Sequence, residues 1–168
     1  MKVNINEKDI IGAAQKGNEA FVDLFSDRIL ASVGGELTAD TMQQLTPDQI
    51  TLLAYQTLKR EVMEGGFIQL IYNGYGPFIF LNPFAKAMRL WGAREFSKLV
   101  YDGRRLYEEY GDQLTRECTD EEFMALYERL PMFDDFDDEF VENEEEWTSA
   151  IAYYIDEHTD NFATIVTD

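Results

Sequence analysis

Residues 133–147 read FDDFDDEFVENEEEW, fifteen positions of which nine are carboxylates: Asp134, Asp135, Asp137, Asp138, Glu139, Glu142, Glu144, Glu145 and Glu146. A run this acidic ordinarily forms a solvated, disordered tail. Here Phe133, Phe136 and Phe140 stand at i, i+3 and i+7, and Trp147 follows seven residues later. That spacing gathers the rings into one stripe, which seats a helix against a core while the acids between are held outward. The stretch therefore reads as an ordered helix. Like charges three or four apart on it each cost a few tenths of a kcal/mol, so the fold presents this surface at some expense of stability.

The signals elsewhere are of the same kind. Phe21, Leu24, Phe25 and Leu30 predict a helix after Asn18 that ends near Gly34-Gly35. In Thr46-Pro47-Asp48-Gln49, Thr46 can cap, Pro47 suits the first helical position and Gln49 can complete a capping box. That helix carries Ile50, Leu53, Leu58 and Val62, with a stop predicted at Gly65-Gly66. Asn82-Pro83 opens another, ended by Gly92, and a further helix runs from Ala93 to Tyr110, with Gly103 a weak point and Gly111 a stop. Thr119 and Glu122 form a second capping box before a segment closed by Pro131, and Asn143 with Glu146 marks a start before Trp147, Ile151, Tyr154 and Ile155. Strand signals are weak. With no repeat and no linker, the reading is all-α: a single-domain compact helical bundle of about seven helices over residues 1–168.

A chain of 168 residues, 45% hydrophobic, can bury one sizeable core. Its most apolar stretch, residues 65–84, is broken by Asn73, Gly74, Gly76, Pro77, Asn82 and Pro83, which excludes a ~20-residue membrane span. With no secretory leader pattern, a cytoplasmic protein without membrane association is expected. Cys118 is the only cysteine, so neither an internal disulfide nor a thiolate metal cage can form. The net charge of −19 repels phosphates, so direct nucleic-acid binding is not expected, and it attracts basic proteins. Residues 1–100 hold eleven acids and ten bases, whereas residues 101–168 hold twenty-two acids and four bases. No Lys or Arg follows Arg129 to pair with the thirteen acids beyond it.

Catalytic arrangements do not emerge. His158 is the only histidine and falls on an apolar stripe at a predicted helix end, which suits packing or capping. Cys118 reads as an ordinary thiol. Gly65-Gly66 and Gly74-x-Gly76 lack the phosphate-loop pattern. Asp135, Asp137, Glu139 and Glu146 match positions 1, 3, 5 and 12 of a calcium loop, but Phe140 occupies position 6, where the turn calls for Gly. No catalytic residue, metal or cofactor is expected, and the chain does not read as an enzyme. A hydrolase built on acid pairs would need a pocket holding carboxylates of raised pKa.

What the acids can do follows from their spacing. Helical turns repeat every ~5.4 Å, a scale comparable with phosphates along a DNA strand at one charge per ~3.4 Å. A basic DNA-binding protein that meets phosphates with Lys and Arg can meet these nine carboxylates instead, with Glu108, Glu109, Asp112 and the acids from Glu117 to Glu122 extending the surface. The alternative is a cytosolic binding or scaffold module whose acidic face only solubilises it and whose contact surface is Gly65 to Pro83, with Tyr72 or Tyr75 exposed.

Three segments carry a resemblance: EVMEGGFIQLIYNGYG, NPFAKAMRLWGAREF and FDDEFVENEEEWTSAIAYYIDEHTDNF. Their pattern, Glu61, Gly65, Gly66, Phe67, Asn73, Gly92, Ala93, Asp137, Phe140, Tyr154, Ile155, His158 and Phe162, resembles the family of domains named after a bacterial DNA mimic protein, over roughly residues 46–163. The resemblance implies an all-helical fold, an acidic surface and, for the characterised branch, a dimer that occupies the DNA-binding face of a transcriptional regulator. It carries over no catalytic residue, and the motif positions read as structural.

Overall fold

The computed structural model describes residues 3–167, and it is all-α: nine α-helices and one short strand pair among those residues. The chain divides into two compact units, Met1–Gln56 with Glu145–Asp168, and Thr57–Glu144. Among the described residues no helix is long and apolar enough to cross a membrane.

The first unit contains β1 (Asn4–Asn6), α1 (Glu7–Lys16), α2 (Asn18–Ser32), α3 (Ala39–Met42), the start of α4 (Pro47–Tyr72), the end of α9 (Met132–Glu157), a 3-10 turn at Thr159–Asn161 and β2 (Thr164–Val166). The predicted box at the start of α4 forms: Thr46 Oγ1 accepts the Gln49 N–H at 3.1 Å, and Gln49 Oε1 accepts the Thr46 N–H at 2.9 Å. The same two side chains reach the far end of the sequence, Gln49 Nε2 donating to the Phe162 carbonyl at 2.7 Å and Thr46 Oγ1 to that of Asn161 at 2.9 Å. Beside them Asp48 accepts from the Tyr154 hydroxyl and the Asn161 amide, at 3.0 and 2.9 Å. β1 and β2 pair in parallel with Ile5 opposite Ile165, and Ile5 is fully buried.

The second unit holds the rest of α4, then α5 (Gly76–Phe80), α6 (Phe84–Leu90), α7 (Arg94–Leu114), α8 (Asp120–Arg129) and the start of α9. Thr119 and Glu122 make the expected capping box. Gly92, at φ 96°, ends α6 in a left-handed cap that lets the Ala93 N–H reach the Met88 carbonyl at 2.9 Å. Ser97 Oγ donates to the Ala85 carbonyl at 2.6 Å and ties α7 to α6.

Four expectations need correction. Among the described residues the count is nine rather than about seven: α3 and α5 span only four and five residues, too short to show a helical period, and α1 lies before the stretches read as helix. Helical geometry does stop at Gly65-Gly66 as expected, with Gly66 at φ 77°, ψ −177°, but a helix resumes at once at Phe67, so α4 continues past the break to Tyr72. α7 runs through Gly103 and Gly111 to Leu114, since these glycines make room for the Phe80 and Tyr107 rings, 3.2 and 3.1 Å from where a Cβ would stand. Asn143 opens no helix: it lies inside α9, and its Nδ2 donates to the Glu139 carbonyl at 2.8 Å.

Candidate functional site

The acidic run is helical from its first residue, and the aromatic stripe holds it down. Phe133 and Phe140 are buried, Phe136 is half-buried, and Trp147 is buried in the first unit. Phe140 packs against Phe96 with ring centroids 5.7 Å apart, Phe136 meets Phe67 edge-on at 6.2 Å, and Phe133 meets Tyr110 at 6.4 Å.

The nine carboxylates separate into two groups. Asp134, Asp135, Asp138, Glu139, Glu142, Glu145 and Glu146 are exposed. Within the second unit, Asp135, Asp138, Glu139 and Glu142 stand at i, i+3, i+4 and i+7, covering roughly a third of the helix circumference on the side away from the rings. Among the described residues none of the seven has a Lys or Arg within ion-pair distance. The other two turn inward. Glu144, 9% exposed, forms an ion pair with Lys59 at 2.7 Å.

Asp137 is half-buried, and its Oδ1 accepts the Phe67 N–H at 2.8 Å. Phe67 is the first residue after the break in α4, where a helix start leaves backbone donors without partners. Gly66 takes φ 77°, ψ −177°, and a Cβ there would stand 2.3 Å from the Asp137 carboxylate. The Tyr127 hydroxyl donates to the Gly65 carbonyl at 2.7 Å, satisfying the other side of the break. Glu61, 6% exposed, accepts from Gln69 Nε2 at 2.6 Å and from Asn73 Nδ2 at 3.3 Å, which ties the segment before the break to the segment after it. Glu61, Gly65, Gly66, Phe67, Asn73 and Asp137 thus surround one backbone feature.

Burial raises the Asp137 pKa to about 6, with the negative charges of Asp134 and Asp138 adding to the rise and the Phe67 N–H opposing it. The raised carboxyl belongs to a helix cap, where one of its oxygens accepts the Phe67 N–H. The native state binds this proton more tightly than the unfolded chain, whose Asp titrates near 3.8. Its contribution to stability is therefore full below pH 3.8 and is lost as pH rises through about 6. Asp137→Asn keeps the acceptor and removes the titration. Urea unfolding at pH 4.5 and 7.5 is expected to show the parent losing about 1–2 kcal/mol more than the variant across that interval. Parallel pH dependences would remove this assignment.

The remaining motif positions pack or cap within the fold. His158 is exposed at the end of α9, with Nδ1 2.9 Å from the Tyr154 carbonyl and its ring stacked on Tyr154 at 4.0 Å. Phe162 is buried and meets the same tyrosine edge-on at 6.0 Å. Cys118 is half-buried, and its thiol beside Tyr72 is the main cause raising that phenol above its ordinary pKa. Tyr72 also packs on Phe123 at 4.6 Å, and Tyr75 lies under the Arg60 guanidinium at 5.8 Å, so both are half-buried within their own unit. Residues 135–146, which match calcium-loop positions, are continuous helix with Phe140 buried. Among the described residues no group of three His, Cys, Asp or Glu converges to hold a metal.

Sequence reasoning missed Lys59, Gln69 and Tyr127. The first announces itself as nothing but a mid-helix cation, and the other two act through bonds to Glu61 and to a backbone carbonyl that only the break in α4 creates.

A family model described as DMP19-like protein matches residues 43–158. Over 127 residues, 75% of this chain and 77% of the relative, the sequence is 33% identical to the DNA mimic protein DMP19 of Neisseria meningitidis serogroup B (strain ATCC BAA-335 / MC58).

Proposed function

Because this chain belongs to the DMP19-like protein family, we propose that it is a DNA mimic: an acidic interaction protein, not an enzyme, that binds a basic DNA-binding protein such as a transcriptional regulator and blocks its DNA-binding face. The observation that carries this reading is the stripe of Asp135, Asp138, Glu139 and Glu142, exposed on a helix whose opposite side is anchored by Phe133 and Phe140. Rows of carboxylates fixed on a rigid element are already organised for a partner that carries Lys and Arg at phosphate spacing, so little ordering is required on binding. Asp134 extends the acidic surface of the second unit in this reading, and Glu145 and Glu146 add negative charge to the first, whereas Asp137 and Glu144 serve the fold. The setting is cytoplasmic, where such regulators work, and a homodimer would present two such surfaces.

The test is capture of a partner from a lysate of the encoding cell by the immobilised chain, with and without excess double-stranded DNA. A basic DNA-binding protein is expected to be retained and then displaced by DNA. Converting Asp135, Asp138, Glu139 and Glu142 together to Asn or Gln is expected to weaken that complex at least tenfold and to flatten its salt dependence. The variant should melt no lower than the parent, since four mutually repelling charges are gone. A complex indifferent both to DNA and to the four substitutions would sink the reading.

A further inference from the structure

In residues 81–105 the charge reverses sign. This segment holds Lys86, Arg89, Arg94, Lys98, Arg104 and Arg105 against Glu95 and Asp102, a net of +4 in a chain of net −19. All six cations are exposed on α6 and α7. Arg104 Nε is held by Glu108 at 2.9 Å; among the described residues the other five have no carboxylate within ion-pair distance. Unpaired cations in a chain with 33 acids are not there for neutralisation.

The same elements enclose a groove of about 310 Å³ lined by Phe80, Leu81, Lys86, Val100, Tyr101 and Arg104 among others. Its floor is apolar, since Phe80 and Val100 are buried. Its rim keeps Leu81 54% and Tyr101 46% exposed, two large side chains left in contact with water. The walls are firm, as α6 and α7 are joined by the Ser97 to Ala85 bond and Phe80 stacks on Tyr107 at 5.2 Å. The volume lies at the lower end for ligand sites and admits one side chain of leucine or phenylalanine size.

We propose that this groove docks an acidic peptide segment of another protein, one apolar side chain entering between Leu81 and Tyr101 while flanking carboxylates meet Lys86 and Arg104. With Glu108 on Nε, the Arg104 guanidinium keeps donors for a carboxylate, and Lys86 supplies a second, compact charge. A long nucleic-acid duplex would meet the repulsive field of the whole chain. A short segment needs only the local positive field, which acts within a Debye length of ~8 Å. This site is opposite in charge to the acidic face of α9 and stands whether or not that face binds a partner.

The probe is a fluorescein-labelled 12-residue peptide with leucine flanked by Glu and Asp pairs, titrated against the full chain by fluorescence anisotropy at 50 and 300 mM salt. Controls are the same peptide with glycine for leucine, with Lys for the acids, and a 12-nucleotide single-stranded DNA. Saturable binding of the acidic leucine peptide is expected, with both control peptides at least tenfold weaker. Lys86→Glu and Tyr101→Ala are each expected to weaken it at least tenfold, with melting temperature unchanged; Arg104→Gln replaces either one that fails to fold. Absence of saturable binding, or equal binding by Lys86→Glu, overturns the proposal. So does tighter binding of the oligonucleotide, which would make this a phosphate site, or self-association in sedimentation that Lys86→Glu abolishes, which would give the groove to a second copy.

Discussion

Phe140→Ala is expected to lower the unfolding free energy by about 4 kcal/mol, the range for removing a large aromatic side chain from a close-packed core. Phe140 has no exposed surface, and its ring lies 5.7 Å from Phe96, which in turn meets Phe84 edge-on at 5.9 Å. Truncation leaves a cavity under α9 that neighbouring helices cannot close without moving ring against ring. At the ~2–4 °C per kcal/mol of a chain this size, the melting temperature should fall by roughly 8–16 °C. The result bears on function as well as stability. If the acidic stripe depends on this anchor, loosening Phe140 should impair partner binding although it removes no charge, whereas neutralising the stripe should impair binding with no loss of stability. A melting shift under about 3 °C would show that the aromatic side of α9 does not hold the helix in place.

Gly66→Ala is expected to cost about 3 kcal/mol, and the reason is local. A φ of 77° with ψ of −177° lies in a region that only glycine occupies freely, at about 1–3 kcal/mol for any other residue. The new methyl would also collide with the Asp137 carboxylate, which must leave and abandon the Phe67 N–H. Equilibrium unfolding in urea measures the loss, and a double-mutant cycle with Asp137→Ala separates the two causes. Once Asp137 is shortened, the collision disappears and only backbone strain remains, so the double variant should be clearly more stable than the sum of the singles predicts. Strict additivity would mean that the carboxylate does not crowd Gly66.

The contrast between these positions explains what could be read from the sequence. Phe133, Phe136 and Phe140 are legible because periodicity is a local signal, and a stripe at i, i+3 and i+7 has one helical meaning. The boxes at Thr46/Gln49 and Thr119/Glu122 are legible for the same reason, as both partners lie three residues apart. Asp137 and Glu144 were hidden among seven acids of the same kind. What distinguishes Asp137 is an orphan N–H seventy positions earlier, and what distinguishes Glu144 is Lys59. Glycine was ambiguous by nature: Gly92 ends a helix, Gly66 bends one, and Gly103 makes space for a ring, three uses of one missing Cβ that composition cannot separate.

One further consequence concerns synthesis, since the first unit is discontinuous in sequence and the second is not. A ribosome has delivered every residue of the second unit once Glu144 emerges, and a continuous segment of helices with mostly local contacts can begin to organise then. The first unit is in a different position. Its β1 waits for β2, about 160 residues later, and the cap at Thr46 and Gln49 waits for the carbonyls of Asn161 and Phe162. Residues 4–6 are thus among the last of this chain to find their partners. Until β2 is made, β1, with the fully buried Ile5 at its centre, lacks the strand it pairs with.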